Sequence, residues 1–452
     1  MSTKMDRRGF LRLAAIALGG TVLAACQPTK VEVEEEAEKV VVEAEKEAAP
    51  AEAEAITLRW GSWSVGNEAF EALANNFHEL YPNVTVVQEA APWAQYWDRL
   101  QVQMAGGEAP DIQWMSGAMF LNFVEKGYFL DLTPYSDAEG LSLDKYFTQA
   151  DVFTYKDHVY AWPWFHTVSS GWYNKELFDE AGLDYPPTDW NNTWSWDEFL
   201  DVATKLTKTR DDGRQQYGVV VSNAFEQCWG SFIWSNGGDV INGDFTKTTM
   251  DTPEAIEGLG YVVDLVQKHK VAPEPGDPSA FMEGMPGPFE AGLAAMEIHS
   301  SANTRTYSLI EQFTPGAMCL PTAPGGVPAC SFNGNPNAVA NSSPHPDEAW
   351  NFVTYLASDD GMEYFAREKM TVPANIEIAR TIYVSNPPPL NLDVFIKAMD
   401  IPKYYDLRFH RLWMEWVNAI QAPVDLALAG EASTEEACQM ATTDGDEVLS
   451  RV

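Results

Sequence analysis

The chain has 452 residues, 45% of them hydrophobic and 12% aromatic, enough to bury a large core in two or three domain-sized lobes. Its 66 acidic residues against 29 basic ones give a formal net charge of -37, which repels phosphate backbones and excludes nonspecific nucleic-acid binding. Acidity of this kind serves solubility and names no ligand.

The first segment reads as an address. Lys4, Arg7, Arg8 and Arg12 form a basic stretch, and residues 13–25 are apolar but short for a bilayer span. Arg7-Arg8-Gly9-Phe10-Leu11-Arg12 resembles a twin-arginine export signal, and Leu23-Ala24-Ala25-Cys26 resembles a lipobox. Cleavage after residue 25 and lipidation of Cys26 are therefore expected, anchoring the chain on the outer face of a bacterial cytoplasmic membrane. A buried Cys in an ordinary helix is the alternative. Residues 27–55 hold ten Glu and no aromatic side chain, so they cannot fold alone and read as an extended charged tether or a solvated helix. The remaining cysteines are Cys228, Cys319, Cys330 and Cys438. Cys319 and Cys330 bracket a turn-rich stretch, which leaves a local disulfide open, and no spacing suits a structural metal.

Residues 56–63 alternate and end in Gly61-Ser62-Trp63, which predicts a strand that stops at a polar and aromatic mouth. Phe70, Leu73, Phe77 and Leu80 recur at helical spacing, and Tyr81-Pro82-Asn83 closes that helix before a strand over 84–88. Residues 93–105 are amphipathic through Trp97, Leu100 and Met104, Gly106-Gly107 supplies a left-handed cap, and Ala109-Pro110-Asp111-Ile112 opens a third strand. This alternation predicts an α/β fold with parallel sheets covered on both faces. Open sheets of that kind bind ligands at the carboxyl ends of their strands. Later, Ser195-Trp196-Asp197-Glu198 forms a capping box for a helix to Leu206, and Thr252-Pro253 opens another to about residue 270. A third starts at Pro346-Asp347-Glu348, with Ala349, Trp350, Val353 and Leu356 on one face.

Several landmarks follow one another: Trp60-Gly61-Ser62-Trp63; Met104-Ala105-Gly106-Gly107-Glu108-Ala109-Pro110-Asp111-Ile112; Leu130-Asp131-Leu132-Thr133-Pro134-Tyr135; Val159-Tyr160-Ala161-Trp162-Pro163; and Trp172-Tyr173-Asn174-Lys175-Glu176-Leu177-Phe178. Trp194-Ser195-Trp196-Asp197-Glu198-Phe199, Asn236-Gly237-Gly238, residues 289–296 and Asp347-Glu348-Ala349-Trp350 continue the series. In this order they resemble family 1 extracellular solute-binding proteins, the group of maltose- and oligosaccharide-binding proteins of ABC importers, over nearly all of 56–380. The resemblance implies a two-lobed, periplasmic-binding-protein-like (type II) fold with a ligand cleft between lobes that close by hinge bending. Lobe one is expected at 56–166 plus 297–338, and lobe two at 167–296 plus 339–452. It further implies a monomer that is not an enzyme, holds no cofactor, captures a sugar and delivers it to ABC permease subunits. One departure stands out: where many members place a Gly and then a Trp, this chain reads His299-Ser300-Ser301-Ala302.

A sugar offers hydroxyls at its rim and a weakly apolar C–H face, so its binder needs flat aromatic platforms beside polar side chains. Trp63, Trp162, Trp164, Trp229 and Trp234 are the candidate platforms, each with packing in a core as the alternative. Asp111, Ser116, His166, Asn236, His299, Asn333 and Asn335 are the candidate hydrogen-bonding groups. Asp111 also suits a cap, Asn333-Gly334-Asn335-Pro336 also suits a turn, and the histidines also suit structural roles.

Two rivals remain. A secreted glycoside hydrolase needs two carboxyls poised across one bond, and no such pair stands out. A binder of another small solute, such as a polyol, a phosphorylated polyol or a ferric ion, is the other. Tyr404-Tyr405 suits ferric binding but reads as packing in a helix, and an anionic ligand calls for Arg or Lys that the strand ends lack. A neutral sugar fits best.

Overall fold

The expected β-α-β opening is the first structure met in the computed structural model, which describes residues 54–64, 66–147, 153–275, 287–385, 387–401, 403–406 and 411–451. The export segment, Cys26 and the tether up to residue 53 lie outside the described residues. Strand β1 (Ile56–Trp63) pairs in parallel with β2 (Val84–Ala91) along its whole length and with β3 (Ile112–Trp114) at Trp60 and Gly61. Helix α1 (Asn67–Leu80) joins β1 to β2 and buries Phe70, Leu73 and Phe77. Leu80 has the same spacing but is 61% exposed, because the helix ends there. Helix α2 (Trp93–Gly106) ends on Gly107 at φ 71°, the left-handed cap that Gly tolerates without a Cβ clash. The short α3 (Gly117–Val124) follows β3.

Next come β4 (Trp162–Asn174), α4 (Trp196–Leu206), β5 (Lys208–Thr209), β6 (Gln215–Val220), α5 (Trp229–Ser235) and α6 (Pro253–Gln267). They are followed by β7 (Ala294–Ser300), β8 (Pro315–Met318), β9 (Ala329–Val339), α7 (Pro346–Leu356), α8 (Asp359–Arg367), β10 (Val372–Pro373), β11 (Lys403–Asp406), α9 (Trp413–Leu428) and α10 (Thr434–Leu449). The capping box at Ser195 and Glu198 forms as read, with Ser195 N–H donating to the Glu198 carboxylate at 2.8 Å. Thr252 caps α6 and Pro346 begins α7, which buries Ala349, Trp350, Val353 and Leu356.

Among the described residues these strands form one eleven-stranded sheet, with β2-β1-β3-β9-β4-β7-β6-β5 as its main path. The 13-residue β4 spans its centre. Residues 162–168 pair antiparallel with β9, whereas residues 169–173 pair antiparallel with β7 and residues 171–174 with β8. The strand therefore passes from one group of neighbours to another between Val168 and Ser169. Residues 297–300 lie in β7, against the second half of β4. Helix α7 packs on the β1 side, where Phe352 meets Trp60 and Phe77 with ring centroids 5.1 Å apart in each pair.

Tyr404 and Tyr405 are not helical. They lie in β11, parallel to residues 329–332 of β9, because an open ladder edge accepts a short aromatic run more readily than an isolated helical turn forms. Cys228, Cys319, Cys330 and Cys438 are buried free thiols. The disulfide left open between Cys319 and Cys330 is not formed, and the Cys330 thiol instead meets the Ala398 carbonyl at 3.9 Å. No helix among the described residues is long and apolar enough to cross a membrane.

Candidate ligand-binding cleft

A cavity of about 500 Å³ opens where β4 changes neighbours, a size ordinary for a small-molecule site. From the β1–β3 side it is lined by Trp63 at the end of β1, Trp93 at the start of α2 and Trp114 at the end of β3, with Phe165 and Thr167 of β4 and Asn333 and Asn335 of β9. From the β6–β7 side come residues 223–227 of the loop after β6, His299 of β7, and Ala302 and Asn303 just beyond it. Helix α9 closes the cavity with Trp413, Met414, Val417, Asn418 and Gln421.

The first side is a continuous aromatic wall. Trp63 stands edge-on to Trp93 at 5.8 Å and stacks on Trp114 at 6.1 Å, and Trp114 lies nearly parallel to Phe165 at 6.2 Å. These contacts hold the indoles in place before any ligand arrives, so little side-chain entropy is lost on binding. The polar groups are fixed as well. Asn333 Nδ2 donates to Ser116 Oγ at 2.9 Å, while its carbonyl Oδ1 has no hydrogen-bond partner. Asn335 Nδ2 donates to the Asn333 backbone carbonyl at 2.9 Å. A buried amide half-used by the protein is a natural donor or acceptor for a ligand.

The opposite wall is a loop tied at three points. Asn223 and Gln421 exchange side-chain-to-carbonyl bonds of 2.8 and 2.9 Å, and Trp229 Nε1 donates to Asn223 Oδ1 at 2.9 Å. Ser331 Oγ on β9 donates to the Glu226 carbonyl. Glu226 is half-buried, and desolvation of its carboxyl pushes it up to about 7 against a hydrogen bond from Trp413. Burial likewise pushes His299 down to about 4, so its imidazole is neutral at pH 7. Behind the cavity, Asn303 Nδ2 donates to Tyr307 Oη at 2.7 Å and Tyr307 donates to Glu297. Burial first and the neighbouring Glu290 second push the Glu297 carboxyl up to about 8.

Of the side chains expected to bind, Trp63, His299, Asn333 and Asn335 meet on this cavity. Ser116 stands one bond behind it through Asn333. Trp229 acts at the same remove, through Asn223. The others lie elsewhere. Trp162 packs against Trp350 at 5.3 Å, and Trp164 is 1% exposed among Trp60, Phe70, Phe165 and Phe365. His166 is buried against Phe332 at 4.5 Å with neither ring nitrogen hydrogen-bonded, and burial pushes it down to about 3. Trp234 is buried and donates to Asp239 at 3.2 Å, and Asn236 donates to the Glu254 carbonyl and the Glu257 carboxylate on the surface. Asp111 ties down the edge of β1, accepting from Arg59 N–H at 2.8 Å and from Ser343 Oγ at 2.6 Å.

Trp93, Trp114, Phe165, Glu226, Asn303 and Trp413 were not anticipated. Trp114 and Trp93 had a usable signal, since each directly follows or ends a strand. Trp413 had none, because nothing local says that a helix some 250 residues after β4 folds back over its middle.

Residues 61–363 match the bacterial extracellular solute-binding protein family. A binding protein of Brucella abortus is 22% identical, covering 84% of this chain and 90% of its own. An ABC substrate-binding protein of Listeria monocytogenes, solved in complex with cycloalternan, superposes with a TM-score of 0.78 at 23% identity, over 88% of this chain and 98% of that one. Maltose-bound T. maritima MalE3 gives 0.73 at 23% identity over 88% and 100%. The fold is thus the two-lobed one of these binding proteins, and the chain belongs to the bacterial extracellular solute-binding protein family.

Proposed function

We propose that this protein is the substrate-binding component of an ABC importer and captures a sugar or oligosaccharide outside the cytoplasmic membrane. One observation carries the reading: four indoles and several part-used amides from both sides of the sheet face a single 500 Å³ cavity. Among the described residues no Lys or Arg lines it, which disfavours a phosphorylated or carboxylated ligand. Among the described residues its one carboxyl is Glu226, which falls short of the pair that glycoside hydrolysis uses. The cycloalternan and maltose held by the two structural relatives fit the same chemistry.

The two groups of strands are the proposed lobes. One carries β1 to β3, the first half of β4, α7 and α8; the other carries the second half of β4, β5 to β8 and the helices between them. Closure then bends β4 near Val168 and β9 near Phe332. The anchor is the lipid on Cys26, and the folded part works as a monomer at the end of its tether.

A thermal-shift panel of mono- and oligosaccharides tests the function, since a ligand bound only by the folded state raises its melting temperature. A rise with some sugars and no released reducing ends is expected. Loss of membrane attachment in Cys26→Ala tests the anchor.

A further inference from the structure

The cavity's charge is one-sided. Among the described residues Glu226 is the single carboxyl on it, and no Lys or Arg reaches the lining to neutralise it. Trp413 donates to that carboxyl, and a carboxylate has room to accept further hydrogen bonds. His299, the one other titratable group among the described lining residues, is held neutral by burial and offers no compensating charge. An enclosed carboxyl with no cationic partner among the described residues is costly to ionise, and the cost is relieved by whatever cation is brought to it.

The remaining walls suit the same guest. Trp63, Trp93, Trp114 and Trp413 present indole rings to the cavity, and the faces of such rings attract cations through their quadrupole. The backbone that carries Glu226 is held in place. Its backbone carbonyl is held to the crossing strand β9 by Ser331, and its loop is clamped to α9 by the reciprocal Asn223–Gln421 pair. Over longer range, the formal charge of -37 draws cations and repels anions.

We infer that the site selects sugars bearing a protonated amine over their neutral counterparts, with Glu226 receiving the ammonium group between the indoles. This rests on the sugar-binding reading and narrows it. A charge-assisted hydrogen bond in an enclosed site is about twice as strong as a neutral one, so the amino sugar is expected to bind about tenfold tighter than its hydroxyl twin.

The experiment uses matched pairs on the full folded chain: glucosamine against glucose, galactosamine against galactose, and the glucosamine disaccharide against cellobiose. Dissociation constants are read by calorimetry at pH 7. The expected result is a ratio near ten in favour of the amine in at least one pair, collapsing towards one in Glu226→Gln. Should that variant fail to fold, the wild-type protein at pH 5 serves instead. There Glu226 is protonated, His299 is still neutral, and the ratio is expected to fall by the same amount. Neutral sugars binding with no amine preference, or a preference untouched by both perturbations, overturns the inference and leaves the sugar reading standing. No binding by either member of any pair overturns both.

Discussion

Two tryptophans that look alike in the sequence should respond to truncation in opposite ways. Trp63 lies on the cavity, half-buried against Trp93 and Trp114. A pyranose face covering roughly 60 Å² of that indole removes apolar surface worth about 1.5 kcal/mol at about 25 cal/mol per Å². Lost order in the two neighbouring rings adds about 0.5 to 1.5 kcal/mol more. Trp63→Ala should therefore weaken sugar binding by roughly 30- to 150-fold at about 1.4 kcal/mol per decade. Its melting temperature should change little, because only part of the ring leaves water on folding. Trp164 is 1% exposed and meets four aromatic rings at 4.9 to 5.4 Å. Its truncation opens a core cavity and costs about 3 to 5 kcal/mol of stability. Unfolding entropy of about 2.1 cal/mol/K per residue over residues 55–452 turns that into a drop of roughly 4 to 6 °C in Tm. Calorimetric titration and differential scanning calorimetry on both variants separate the outcomes. If Trp164→Ala lost affinity while keeping its Tm, or Trp63→Ala bound every sugar like wild type, the assignment of wall and core would be wrong.

Ser116→Ala should release the Asn333 amide from its one hydrogen bond and weaken sugar binding about fivefold, read by calorimetry, with circular dichroism unchanged. Stability should peak between about pH 4.5 and 6.5 in urea melts. His166 and His299 are held below their ordinary value, so the stability due to their neutral forms is complete above about pH 6.5 and is lost as pH falls towards 4 and 3. Glu226 and Glu297 are held above theirs, so their contribution is complete below about pH 4.3 and is lost as pH rises through 7 and 8. A curve still rising at pH 8 would contradict this, and Glu226→Gln with Glu297→Gln should flatten the alkaline arm. Burial pushes the thiols of Cys228 and Cys438 up to about 12 and raises those of Cys319 and Cys330 as well. All four should ignore a thiol reagent until denaturant is added, whereas rapid labelling of the native protein at any of them would show an opening that the packing denies.

The opening of the fold was legible because its signals are local. Alternation gave β1, the spacing of Phe70, Leu73 and Phe77 gave α1, and Gly106-Gly107 gave the end of α2. Caps gave α4 and α6 in the same way. Pairing was less legible. β11 is a strand only because β9 has a free edge beside it, a fact some 70 residues away in the chain. The cavity fell between these cases. Trp63 follows from the rule that ligands gather at strand ends, and so does Trp114, which that rule covered and the reading passed over. Trp413 and Asn418 depend on where α9 comes to rest, and no spacing reveals that.

The candidates on β4 were hard to place because the strand is buried on both faces and its register is interrupted. Alternation along β4 is broken at Trp164, because its register with β9 shifts between Asn335 and Pro336: Asn333 and Asn335 stand opposite Thr167 and Phe165, whereas Trp164 has no partner on β9. The structure turns Phe165 and Thr167 to the cavity and packs Trp162, Trp164 and His166 into the interior. A strand with one wet face would have advertised this, since polar residues mark the exposed parity. β4 crosses the middle of the sheet and is buried along nearly all of its length, with His166, Ser170 and Asn174 on one parity and Thr167 and Ser169 on the other, so polarity offers no mark to choose between them. The irregularity at Trp164 then changes which face each parity meets before and after it, and no local signal announces that. On β9 the choice was easier, because Asn333 and Asn335 share a parity and amides in a buried strand need a reason to be there. The reason is the cavity. Polar side chains on an otherwise buried crossing strand therefore locate a cleft of this kind more dependably than its tryptophans do.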